Sequence, residues 1–258
     1  MTPHTTLETL LRRDRVLVTV GLVAVAALGW TYMLYLARGM SGMAMGTDMA
    51  MPQMQAWGVV DLTLLFVMWA VMMVAMMVPS ASPLILMLAA ANRKRRERDD
   101  PLVSTGLFLA GYLLVWTAFS AVATAAQWGL HATALLSPAM VGTSPVLGGL
   151  LLISAGLFQF TSLKRACLAH CRSPLGFVMG HWRDGRVGAL RMGLEHGLYC
   201  VGCCWILMAL LFVAGVMNLV WVAAISLFVL AEKVLPRGGF VGRLGGTVLL
   251  VTGLVMLT

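Results

Sequence analysis

Apolar runs of about 18 residues or more recur along the chain, and no other feature limits its fold so strongly. Each is close to the ~20 residues a helix needs to cross a ~30 Å hydrocarbon layer. The chain is 60% hydrophobic and 11% charged over 258 residues. A soluble domain holds about 45–50% apolar and about 25% charged residues, so a soluble globular class is excluded. Seven spans are expected, at about 16–37, 57–79 with a continuation to 91, 103–127, 146–163, 190–214, 217–235 and 242–258. The fold class is therefore all-α: one polytopic transmembrane bundle over 1–258, with the lipid bilayer as its surroundings. Between the spans there is no room for a soluble domain. The first span runs to Ala37, longer than the apolar core of a signal peptide, so it is read as retained.

The 18 Lys and Arg residues test this count. With the N-terminus cytoplasmic, only Arg38 falls outside, which supports an odd number of spans and an external C-terminus. This orientation is that of a multi-pass membrane protein with its basic loops in the cytoplasm. The net charge of +8 lies in short clusters between spans rather than on an aromatic-interleaved basic surface, so no nucleic-acid partner is expected. Pro79 and Pro83 are expected to kink the second span or to let it emerge as a cytoplasmic helix ending at Arg93-Lys94-Arg95-Arg96. A short interfacial helix is expected around Phe177–Trp182.

The stretch Met192-Gly-Leu-Glu-His196-Gly-Leu-Tyr-Cys200-Val-Gly-Cys203-Cys204-Trp205 lies inside the fifth span. With His196 at zero on a helical wheel, Met192 falls at about −40°, Cys200 at about +40° and Cys203 at about −20°. Cys204 stands beside them at about +80°. A thioether, an imidazole and thiols on one intramembrane face are functional candidates, and soft ligands of this kind suit Cu(I), Zn and Fe–S chemistry. Glu195, at about −100°, is off that face and reads as an outer partner of the site, a proton carrier or a partner for Arg191.

Two further groups extend the pattern. The external loop 38–56 is methionine-rich and includes Met43, Met45, Met49 and Met51. Leu, Ile and Val are absent from it, which disfavours a packing role. Thioethers bind Cu(I) or Ag(I) without deprotonation. In the second span Met68, Met72 and Met76 follow one another at i, i+4 and i+8, so Met72 and Met76 belong to a ladder that reads equally as packing or as soft ligands. On the cytoplasmic side, Cys167, His170 and Cys171 stand among Lys164, Arg165 and Arg172, whose charge favours thiolate. Asp61 near the outer end of the second span and Glu232 at the end of the sixth are the remaining carboxylates, each read as a proton site or, for Glu232, a salt link. Lys233 is expected to snorkel to the boundary.

The segments Trp69–Pro79, Gln159–Cys171 with Pro174, Gly197–Met208 with its Gly-Cys-Cys-Trp element, and Ala231-Glu232-Lys233 resemble a bacterial family. It is known as predicted metal-binding integral membrane proteins, a multi-pass domain of unknown function. The resemblance covers about 57–235 and implies membrane location and metal binding. It supplies no reaction.

The leading expectation is a handler of a soft metal, Cu(I) first and Zn or Ag after it, acting as transporter, delivery factor or sensor. Ligands are expected at three successive stations: outer methionines, mid-membrane Met/His/Cys face, and inner Cys167/His170/Cys171. A metallochaperone, a larger membrane complex or a second copy of the chain is the partner expected besides the metal. No catalytic residue is assigned. Two alternatives stay open: a thiol–disulfide oxidoreductase using Cys200 and Cys203, and a structural or assembly subunit. The chain lacks a GxxxxGK[ST] loop, so it is not itself a nucleotide-driven pump.

Overall fold

The computed structural model describes residues 4–44, 58–96, 103–133, 144–216 and 218–258, which form helices and no strand. In order these are α1 (His4–Ala44), α2 (Val59–Arg96), α3 (Thr105–Ala132), α4 (Pro145–Phe158) and α5 (Ser162–Arg172). There follow α6 (Pro174–His181), α7 (Gly185–Ala209), α8 (Leu211–Ala214), α9 (Leu219–Val234) and α10 (Gly238–Leu257). Polar caps set several starts. Ser104, Ser144, Thr161 and Asn218 each accept a backbone N–H from the first turn of α3, α4, α5 and α9, which satisfies donors that a helix leaves free. Gly215, at φ 93°, turns the chain between α8 and α9 in a conformation that a side chain would strain.

Among the described residues five helices are long and apolar enough to cross a membrane: Val18–Arg38, Val59–Arg93, Thr105–Ala132, Gly185–Ala214 (α7 with α8) and Gly238–Leu257. The bent pair α4–α5 makes a sixth if the two pieces act together. The seven spans expected from sequence are therefore not all met by length. The fourth is broken: Thr161 caps a new helix, and α5 leaves α4 at 64°. The sixth, α9, has 16 residues and is only about 24 Å long.

Within α2 both prolines are accommodated without interrupting the helix. Pro83 deprives the Pro79 carbonyl of its partner, and Ser82 Oγ donates to that carbonyl at 2.7 Å instead. The continuation past residue 79 stays inside the bundle, where Ala81, Leu84, Ile85 and Leu88 are buried. Asn92 ties its far end to the start of α3 through both the N–H and the carbonyl of Val103.

Small residues let the helices meet. A Cβ at Gly193 would collide with the Phe108 carbonyl, and one at Gly111 with the Leu190 carbonyl. These two glycines bring α3 and α7 into backbone contact. Gly149, Gly156, Gly246 and Gly253 do the same for α4 and α10. Close approach through small residues is the usual means of helix association where no hydrophobic drive separates protein from lipid. Large apolar side chains on α9 and α10, such as Leu227, Phe240 and Val255, stay exposed, as expected for a lipid-facing surface.

Candidate metal centre

The face of α7 that carries Met192, His196, Cys200 and Cys203 is turned into the bundle, and all four side chains are buried together with Cys204. Three other helices close over Cys200. From α3, Tyr112 donates its hydroxyl to the Met77 carbonyl at 3.1 Å and lies 3.1 Å from Cys200 Sγ. From α9, Lys233 Nζ lies 2.9 Å from Cys200 Sγ and 3.1 Å from Ser80 Oγ of α2.

The bend after α4 supplies the rest. It folds α5 back onto α7 and brings the buried Cys171 thiol beside the part of α7 that carries Cys200 and Cys203. Four buried thiols from two helices thus neighbour one another, with the Lys233 ammonium on one of them. Cys203 and Cys204 both donate S–H to the Cys200 carbonyl, at 3.1 and 2.9 Å. All five cysteines are free thiols. Cys167 is half-buried at the rim, its Sγ over Gly202, where a Cβ would stand 2.8 Å away.

Among the described residues no group of three or more His, Cys, Asp or Glu side chains is set in a geometry that could hold a metal as it stands. Two of the four thiols point at a carbonyl of their own helix.

A model of the copper chaperone family PpoB2 matches residues 66–256. This chain belongs to that family. No curated protein and no solved structure matches it. The match spans every cysteine, Lys233 and the α2 methionines.

For a copper chaperone family member, the placement of the remaining sequence candidates is informative. Met72 and Met76 are buried in the core on α2, one and two turns before Ser80. Met192 is buried, but its sulfur accepts the Arg183 N–H at 3.4 Å and does not join the thiols. His196 lies among Phe108, Tyr112 and Phe177, with ring centroids 5.2–6.1 Å away, and its Nδ1 is buried without a partner. His170 stacks on Tyr199 at 4.0 Å. Met43 falls in the last turn of α1, and Met45, Met49 and Met51 lie outside the described residues.

The three carboxylates are elsewhere. Asp61 is exposed and accepts the Gly58 N–H at 2.9 Å, which makes it an end group of α2. Glu195 meets Arg183 and Arg191, each at 3.3 Å. Glu232 pairs with Lys164 at 2.8 Å, both side chains 2% exposed.

One expectation changes. The positive charge beside Cys200 is a different one. Lys164 is taken by Glu232, and Arg172 donates to the Leu235 and Pro236 carbonyls. Lys233 does not snorkel; it is buried with its ammonium on Cys200. A lysine next to a glutamate at a span end gave no sign of this. On a helix, adjacent residues diverge by about 100°, and both are buried here on different partners, Glu232 on Lys164 and Lys233 on Cys200 and Ser80.

Proposed function

We propose that this chain is a membrane-embedded chaperone for Cu(I), held by the thiols of Cys171, Cys200, Cys203 and Cys204 with Lys233 as counter-charge. The observation that carries the reading is the gathering of buried thiols from α5 and α7 around Cys200, whose sulfur meets the Lys233 ammonium at 2.9 Å. Soft thiolates select Cu(I), which is satisfied by two or three of them. Cu(I) on two thiolates carries one net negative charge, and the Lys233 ammonium cancels it. A neutral assembly is what a low-dielectric interior tolerates. Zn(II) on four thiolates would leave one negative charge uncompensated, so the charge count favours Cu(I) or its analogue Ag(I).

The distribution of Lys and Arg supports a cytoplasmic N-terminus. With α9 and the bent α4–α5 pair both counted as crossings, the chain passes the bacterial cytoplasmic membrane seven times and ends outside. In that frame the α5 bend and the C-terminal end of α9 lie on the cytoplasmic side of the thiols. The cluster is closed over by Tyr112, Lys233 and α5, which suits holding and handing over a single ion better than conducting many.

Anaerobic titration of the detergent-purified protein with Cu(I), followed by X-ray absorption, tests this. One tightly held ion with a sulfur shell is expected. Failure to retain copper against a weak competitor, or a shell of nitrogen and oxygen alone, would defeat the reading. Lys233→Met should lower Cu(I) affinity by about 10–100-fold, the usual cost of removing an outer partner of a metal site. Competition with a chromophoric Cu(I) chelator measures it. Unchanged affinity would show that the ammonium is not the counter-charge.

A further inference from the structure

A second group of ligand-type side chains lies between the thiols and the surface, and none of its members is used by the cluster itself. His170 of α5 and His181 at the end of α6 have ring centroids 6.0 Å apart, with planes at 75°. His170 Nδ1 lies 2.9 Å from the Ala166 carbonyl. A carbonyl only accepts, so Nδ1 carries the proton and Nε2 keeps its lone pair. His181 Nδ1 is buried without a hydrogen-bond partner. A metal–nitrogen bond is about 2.0 Å and a ring nitrogen lies about 1.1 Å from its centroid, so two imidazoles on one linear ion have centroids about 6.2 Å apart. The observed separation of 6.0 Å matches that spacing.

Both rings are also held in place. His170 lies flat on Tyr199 at 4.0 Å, and His181 lies flat on Phe177 at 4.8 Å. Phe177 in turn touches His196 edge-on at 5.2 Å, on the face of α7 that continues to Cys200. Unlike His196, both His170 and His181 are only half-buried, so an ion held by them is within reach of solvent.

We propose that His170 and His181 form a two-imidazole exchange site, through which Cu(I) is loaded onto or released from the thiol cluster. The proposal rests on the thiol cluster being the Cu(I) store. Copper moves without change of oxidation state. Cu–S bonds break, Cu–N bonds form at the two lone pairs, and the vacated thiolates take up protons from water. Imidazole is a harder and weaker ligand for Cu(I) than thiolate, so the site passes the ion on rather than trapping it.

The test uses the full chain in detergent, loaded with one Cu(I), in the double variant His170→Phe, His181→Phe. Phenylalanine keeps both ring stacks and removes both nitrogens. The bound copper should remain, with the same sulfur shell, while its transfer to bathocuproine disulfonate should slow by about tenfold or more, as expected for loss of a coordinating relay. An unchanged transfer rate with copper still bound overturns the proposal. The single variant His181→Phe, which leaves the His170–Tyr199 stack untouched, gives the same reading if the double variant does not fold. Failure of the unmodified chain to retain copper would instead count against the thiol cluster, so the two ideas fail separately.

Discussion

Cys200→Ser will leave the chain unable to hold Cu(I), with affinity lower by more than the roughly 10–100-fold typical of outer-shell changes. Cys200 is the thiol on which every other group converges. Its sulfur meets Lys233 and Tyr112, and its carbonyl receives the thiols of Cys203 and Cys204. A serine hydroxyl is hard, poorly suited to Cu(I), and does not ionise near neutral pH to offset the ammonium. The substitution is nearly isosteric, so the helix contacts that depend on Gly193 and Gly111 are undisturbed. The same titration and X-ray absorption check it. Retention of copper with full affinity would show that the ion sits elsewhere. Cys167→Ser is the contrasting variant: its thiol stands at the rim over Gly202, and its loss should be tolerated.

Glu232→Gln will lower stability by about 3–5 kcal/mol, the range for removing one partner of a buried ion pair. Lys164 and Glu232 join the α5 side of the bend to the end of α9 at 2.8 Å, with both side chains 2% exposed. A glutamine there leaves the Lys164 ammonium without a counter-charge in a place that water does not reach. The carboxylate fits because residue 242 is glycine; a Cβ there would collide with Glu232 Oε1. Thermal unfolding of the purified protein in detergent measures the loss. The double variant Lys164→Met, Glu232→Leu should recover most of it, since replacing both charges by apolar groups is often neutral or stabilising. A single variant that melts with the unmodified protein would show the pair to be dispensable. The consequence extends to the metal centre, because this pair holds α5 in the bent position that delivers Cys171.

The helical class and most helix positions were legible in the sequence, because apolar length and Lys/Arg clusters report directly on what a bilayer permits. The short helix expected around Phe177–Trp182 corresponds to α6, which runs from Pro174 to His181. The common face of Met192, His196, Cys200 and Cys203 followed from helical spacing alone, and all four are buried as that face turns inward. Met192 shares that buried face, with its sulfur engaged by the Arg183 N–H, and α2 continues as one helix through Pro79 and Pro83.

The sequence by itself determined that the chain is a bundle of apolar helices with soft-ligand side chains on inward faces, since periodicity and hydropathy are local properties of the chain. Which of those ligands meet was decided by tertiary structure alone. The 64° bend after α4, with the Lys164–Glu232 pair beside it, turns α5 onto α7 and brings the buried Cys171 to the side of the α7 thiols. The inward turn of Lys233 depended in the same way on Ser80 and Cys200 arriving from other helices to receive a charge that no isolated span would bury.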